Sequence, residues 1–535
     1  MPGFADILIE NARVFTADAA QPFAEALAVQ GERLLFVGGR AEAQAFRGPG
    51  TRLVDAGGGT LMPGFIDGHF HLLHGALHLG RMQLEPALDY EQLSASILAY
   101  AAEHPNEPWL AGVGVRYNLG PGHTCLNRRH LDALIADRPI LLNAYDGHTF
   151  WANTLALQMA GIFHGGDCGP NSVIVLDEAG EATGELREFA AAKPVNDLIP
   201  MIDEARWRSL VQQALALAAS LGVTSIHNMN GNPEQAAFFN ALAEAGELTC
   251  RISLAYSFSP ETPLAALQEA LALKQTYVSS LLRAGCVKLF MDGVIEGYTG
   301  LLLAPYADDS AVCGAANYAP AHFNQIVAEA DRLGLQVAVH AVGDGGVRQV
   351  LDAYENAQRQ NGRRDARHRI EHIELAHPAD WPRFRALGVL ASMQPLHAPP
   401  CFDEHDLWLA HAGRARWPYS FAWQSLRQAG ATLVFGSDWP VVTQNPLHGV
   451  SNALNRRPWD EGLPDQRQSL ADTLTAYTRD AAFAEFQEHC KGQLKAGRLA
   501  DLVLFPQDLF AAPPSALAAL QPCLTMLGGR IVYEA

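Results

Sequence analysis

Short apolar runs broken by glycine and asparagine open the chain, and the same texture closes it. Asp6–Ile9, Arg13–Phe15, Ala26–Val29 and Arg33–Val37 are separated by Asn11, Gly31 and Gly38-Gly39, which reads as strands joined by turns. Near the other end stand Asp501–Phe505, Cys523–Leu527 and Arg530–Tyr533, the last two parted by Gly528-Gly529. Two β-rich ends around a different middle predict a composite β-sandwich from residues 1–60 and 485–535. In the middle, strand-like runs alternate with helical patterns such as Ala321–Leu333 and Gly345–Gln358. The predicted strands are Leu61–Asp67, Val223–His227, Ile252–Tyr256, Val287–Met291, Gln336–His340, Arg369–Ile373, Val389–Met393 and Thr432–Gly436. Eight such units predict an α/β fold of the (β/α)8 TIM-barrel type over residues 61–73 and 206–484. Residues 74–205 are too many for one connection and hold strands of their own at Trp109–Val115, Pro139–Tyr145 and Val173–Leu176. They read as an α/β insertion after the first strand, lying over the active-site face.

Composition narrows the partners. A net charge of −19 over 535 residues speaks against nucleic acid and against anionic membrane surfaces. No apolar stretch is long enough to predict a membrane span, and Met1–Asp6 carries no basic leader pattern. The eight cysteines are scattered with no C-x-x-C pair, so they read as reduced thiols of a cytoplasmic protein. A small-molecule substrate is the expected partner, with a homodimer left open.

The chemistry gathers at the predicted strand ends, where barrel active sites lie. The first strand runs into His69-Phe70-His71, whose i, i+2 spacing turns both imidazoles to one face. His340 ends the fifth strand, His372 lies in the sixth, and the eighth runs into Asp438. Imidazole and carboxylate together suit a divalent ion, zinc above all, at one or two per chain. A lone strand histidine is more often a hydrogen-bonded core residue; it is the convergence of several on one face that argues for a metal. His368, near a strand start, is expected to be structural. His74 and His78 are expected on a helix, on its surface or beside the ligands. Lys288 stands inside an apolar strand, which is costly unless the amine is paired or neutralised. Two readings stay open: an ion pair with an acid such as Asp292, or an amine of lowered pKa that takes up CO2 and bridges two ions as a carbamate.

The chain at this point resembles the amidohydrolase superfamily of metal-dependent hydrolases. The matching pieces are Gly64–His71, Val287-Lys288-Leu289, Val339-His340-Ala341, Ile370-Glu371-His372 and Gly436-Ser437-Asp438. Finer features are similar to the branch that includes N-substituted formamide deformylases: His148–Asn153, Gly184-Glu185-Leu186, Met291-Asp292-Gly293 and Gly436–Pro440. The resemblance implies that His69, His71 and Asp438 bind the more buried metal, that His340 and His372 bind a second, and that carboxylated Lys288 bridges them. It implies hydrolysis of a non-peptide carbon–nitrogen bond of N-formyl or N-acyl amine type, with Asp438 and Lys288 as catalytic residues and Asp438 carrying the proton. Opening of cyclic amides or imides, deamination, ester hydrolysis and isomerisation suit the same site, and a non-catalytic scaffold is a further alternative. Pocket candidates are Arg116, Tyr145, His148, Trp151, Glu185, Tyr298, His397 and Trp439. Arg116 either clamps a substrate carboxylate or closes a salt bridge inside the insertion.

Overall fold

The computed structural model describes residues 3–169, 171–403 and 406–535. Met1 and Pro2, part of the segment read for a leader, lie outside them. Eight parallel strands form the central sheet in chain order. They are β1 (Phe65–Phe70), β2 (Val223–Asn228), β3 (Arg251–Ser257), β4 (Leu282–Phe290), β5 (Gln336–Ala341), β6 (Arg369–His372), β7 (Leu390–Met393) and β8 (Thr432–Phe435). A parallel bridge between Phe70 and Trp439 draws the two edges together, so the sheet nearly closes into the expected (β/α)8 barrel. Helices such as Pro320–Arg332 and Asp344–Asn361 cover its outer face. The second buries Val347, Val350, Leu351, Tyr354 and Ala357, the i, i+3, i+4, i+7 stripe that helical periodicity requires.

One strand differs from its sequence reading. Leu61–Asp67 is not a single strand but two that part at Gly64. Thr60–Pro63 pairs antiparallel with Leu502–Phe505, in a sheet built from the chain ends, and only from Phe65 does the chain enter the barrel. Thr224 explains the break: a Cβ on Gly64 would sit 2.2 Å from its side chain, so only glycine passes here. A further correction concerns β4, which begins at Leu282 rather than Val287.

The chain ends make two sheets. One has the order Arg33–Gly38, Ala26–Gln30, Ile7–Glu10, Arg52–Asp55. The other runs Arg530–Glu534, Leu524–Leu527, Leu502–Phe505, Thr60–Pro63, Arg13–Phe15, Phe23–Ala24. Ile9, Val14, Leu27, Leu61, Leu502, Leu504 and Met526 form one shared core between them. After β1, a separate six-stranded mixed sheet includes Leu110–Val115, Ile140–Ala144, Thr149–Ala152 and Ala182–Arg187. Among the described residues no helix is long and apolar enough to cross a membrane.

Candidate metal centre and pocket

β1 delivers His69, fully buried, and His71 follows where the strand gives way to the helix Leu72–Leu79. Their rings lie 5.2 Å apart. Asp438 arrives from the loop after β8. Its N–H donates to the His69 carbonyl at 2.7 Å, so this loop lies directly on β1. Gly436 permits that approach, since a Cβ there would meet the His69 nitrogen at 2.4 Å. Asp67 staples the same junction by accepting the N–H groups of His69 at 3.1 Å and Ser437 at 2.9 Å.

The hydrogen bonds on the far side of each ring fix where its lone pair points. His69 Nδ1 bonds Glu371 Oε2 at 2.7 Å, and His71 Nδ1 bonds Asn230 Oδ1 at 2.9 Å. Both rings therefore turn an unprotonated Nε2 toward Asp438 Oδ1, at 3.4 and 3.1 Å. That oxygen is buried and has no hydrogen-bond donor. Three acceptor atoms thus converge, with Lys288 Nζ 3.3 Å from His69 Nε2, and such a cluster of lone pairs is suited to hold a cation. His69, His372 and Asp438 also offer ligand atoms all within 4.8 Å of one another. The donor set fits a divalent ion of the zinc type.

His372 reaches the centre by a backbone turn. Arg369 and Glu371 occupy the interior positions of β6, so plain alternation would send His372 outward with Ile370. Left-handed φ values of 74° at His372 and 52° at Ile373 swing the ring inward. There it lies 4.9 Å from the His69 ring and 4.4 Å from the His340 ring, with Nδ1 bonded to Gln394 Oε1 at 2.8 Å. His340 Nε2 donates to the Gly293 carbonyl at 3.1 Å, leaving Nδ1 as the free lone pair. Burial lowers the His69 pKa to about 4 and holds His340 and His372 well below the usual imidazole range, so all three are neutral and have a lone pair to offer.

Lys288 is 1% exposed, with Nζ 3.3 Å from His69 Nε2 and 4.5 Å from the Phe290 ring centroid. Burial brings its pKa down to about 8. The alternative pairing with Asp292 is not seen. That carboxylate instead accepts backbone N–H groups from Leu301, Val342 and Gly343 at 2.8 to 3.0 Å. His368 is structural, as expected: Nδ1 accepts from the Val337 N–H and Nε2 lies 3.1 Å from Asp331. His74 and His78 stand on the helix Leu72–Leu79 with rings 4.3 Å apart.

A pocket opens beside His340, His372 and Asp438. Of the candidates for substrate contact, Tyr145, His148 and His397 line it. His148 Nδ1 bonds Glu188 Oε2 at 2.8 Å; burial opposes its protonation, but Glu188 outweighs burial and raises the pKa to about 9. The other candidates stand elsewhere. Arg116 is exposed, 3.5 Å from the Glu85 carbonyl, and makes no salt bridge among the described residues. Trp151 is buried in the core of the insertion against Tyr117. Glu185 pairs with Arg187 at 2.7 Å. Tyr298 stacks on His411 and bonds Asp308. Trp439 packs on Phe70 behind the ligands. Sequence reasoning assigned no role to Asp146, Glu296 and Glu374 in the pocket wall, nor to Glu371, Asn230 and Gln394 behind the imidazoles. Only the Arg369-x-Glu371 pair inside an apolar strand offered a signal, of the kind Lys288 gave.

A parallel barrel with an imidazole–carboxylate centre at the C-terminal ends of its strands defines a metal-dependent hydrolase. A model of the amidohydrolase family matches residues 52–533. Protein LONG AFTER FAR-RED 3 of Arabidopsis thaliana is 32% identical, covering 99% of this chain and 92% of that protein. N-substituted formamide deformylase of Arthrobacter pascens is 24% identical over 100% of this chain and 99% of that protein. Among solved structures, an uncharacterized metal-dependent hydrolase from Pyrococcus furiosus aligns with a TM-score of 0.72 and 25% identity, over 95% of this chain and 99% of that one. The chain belongs to the amidohydrolase family.

Proposed function

We propose that the protein hydrolyses the exocyclic amide of an N-formyl or N-acyl amine. One or two divalent ions, zinc by preference, would be held by His69, His71, His340, His372 and Asp438, with Lys288 joining them as a carbamate. The observation that carries this reading is the convergence of His69 Nε2, His71 Nε2 and Asp438 Oδ1 without a shared proton. For Lys288, the support is a buried amine whose lowered pKa leaves a good fraction neutral at pH 7–8, as reaction with CO2 requires. The similarity to an N-substituted formamide deformylase along the whole chain favours a formyl or small acyl group.

When bound, the ion supplies Lewis-acid polarisation of the carbonyl and acidifies water. The side chains divide the remaining work. Asp438 takes a proton from the attacking water as the C–O bond forms, and returns it to the nitrogen as the C–N bond breaks, giving a carboxylic acid and an amine. His148, held by Glu188, presents its other N–H to the pocket as a donor for the substrate. Val294, Val342, Leu396, Val441 and Val442 supply the apolar part of the wall. Residues 74–205 act as the cover of this pocket, because Tyr145, Asp146 and His148 come from them. All eight cysteines are free, which accords with a reducing, cytoplasmic setting.

The test is hydrolysis of N-formyl and N-acetyl alkylamines. Removing the metal should abolish turnover, and zinc should restore it. Asp438→Asn should lower kcat by about 10²–10⁴-fold while much of the metal stays bound. Full activity in that variant, or turnover undiminished by metal removal, overturns the reading.

A further inference from the structure

Glu296 stands in the pocket wall beside the metal ligands, half-buried, from the segment that follows β4. Among the described residues, its carboxylate has one side-chain hydrogen-bond partner, the Tyr145 hydroxyl at 3.3 Å. Two more carboxylates line the same pocket, but both are committed. Asp146 accepts the Tyr117 hydroxyl at 2.7 Å and the His148 N–H at 3.0 Å. Glu374 accepts the Trp408 indole N–H at 2.6 Å and faces His397 Nδ1 at 3.6 Å. No lysine or arginine is among the described residues lining the pocket. Glu296 is thus a carboxylate with acceptor capacity to spare, sharing its pocket with other acids. Burial, then the charges of Glu374 and Asp146, push its pKa well above the ordinary carboxyl range, a shift that a cation bound beside it would reverse.

Asp438 Oδ1, 95% buried by residue and lacking a hydrogen-bond donor, lies in the same wall. The pocket wall therefore brings together Asp438, the aliphatic side chains of Val294, Val342, Leu396, Val441 and Val442, and an acceptor at Glu296. We propose that Glu296 is a specificity-determining residue that binds a cationic nitrogen, and that the substrates are N-acyl amines carrying a second, protonated amine beyond an alkyl spacer. This rests on the amide-hydrolase reading above. Tyr145 would hold one carboxylate oxygen and leave the other for the ammonium group, a charge-assisted bond.

The experiment compares kcat/KM of the zinc-loaded enzyme for mono-N-formyl linear diamines and for N-formyl alkylamines of equal length ending in methyl. The cationic series should be favoured at least tenfold, and Glu296→Gln should cost the cationic substrate at least tenfold more than its neutral isostere. Equal kcat/KM for the two series, or a cationic preference that survives in Glu296→Gln, overturns the inference while leaving amide hydrolysis standing. Should no formamide be turned over, the amide-hydrolase reading falls, and titration calorimetry still tests the pocket. Hexylammonium should then bind at least tenfold tighter than hexanol to the wild-type protein, and Glu296→Gln should remove the difference. Equal affinities, or an ammonium preference indifferent to the substitution as direct metal ligation would give, overturn the inference.

Discussion

At the scale of single residues, the centre depends on groups that touch no metal position themselves. Glu371 is fully buried and uses both carboxylate oxygens. Oε2 takes the His69 Nδ1 proton at 2.7 Å, and Arg369 donates to Oε1 at 2.6 Å and to Oε2 at 3.1 Å. Burial alone would protonate Glu371, but Arg369 and then His69 hold its pKa well below the usual range. It therefore stays ionised, fixes the His69 tautomer and strengthens that ring as a donor. Glu371→Gln keeps the shape but offers one oxygen where two are in use. Metal affinity, measured by chelator competition, is expected to fall by about 10–100-fold. An unchanged affinity would show that His69 is oriented by packing alone.

At the scale of elements, what could be read in the sequence was whatever follows strand periodicity. His69 and His71 announce themselves by their spacing, and His340 and Asp438 by the apolar runs that lead to them. His372 was found for its place on β6, yet alternation does not bring it inward; two left-handed residues do, and no pattern of side chains reveals those. The pocket wall was harder still. Asp146, Glu296 and Glu374 come from three different connections after unrelated strands, so their meeting is a tertiary fact. Trp151 and Tyr298 were attractive as large aromatics near the motifs, but packing claims both. The split of Leu61–Asp67 has the same origin, because an unbroken apolar run conceals the point where the chain leaves one sheet for another. That point is testable. Gly64→Ala should destabilise the fold by roughly 1–3 kcal/mol through overpacking against Thr224. Since the clash is with that side chain, the cost should shrink in a Thr224→Ala background, a coupling that denaturant midpoints would expose. Additive effects would place the strain elsewhere.

At the scale of the whole molecule, a line of buried polar groups joins the C-terminal segment to the metal centre through the barrel. Lys491 Nζ lies 2.7 Å from Glu485 Oε1, which is 3.3 Å from His227 Nε2; His227 Nδ1 then meets Arg369 at 2.8 Å. Arg369 holds Glu371, and Glu371 holds His69. Arg369 can only donate, so His227 must accept through Nδ1 and carry its proton on Nε2, facing Glu485. Burial lowers the His227 pKa in agreement with that neutral state. Burial acts to raise the pKa of Glu485, but Lys491 and then His227 outweigh it and bring it down to about 2. A folded-state pKa below the ordinary carboxyl value means that the unfolded chain binds the extra proton. The stabilisation is therefore present above about pH 4.5 and is lost as pH falls toward 2. Lys491→Met should remove that depression and leave Glu485 buried beside a neutral imidazole. The expected cost near neutral pH is about 3–5 kcal/mol, with acid unfolding beginning at higher pH than in the wild type. Glu485→Gln together with Lys491→Met removes the orphaned charge and should recover most of the loss. Thermal melts from pH 3 to 7 on the three proteins decide the matter. Equal acid sensitivity in Lys491→Met and wild type would mean that Glu485 is neutral in the native fold, and that the line to His69 transmits packing rather than charge.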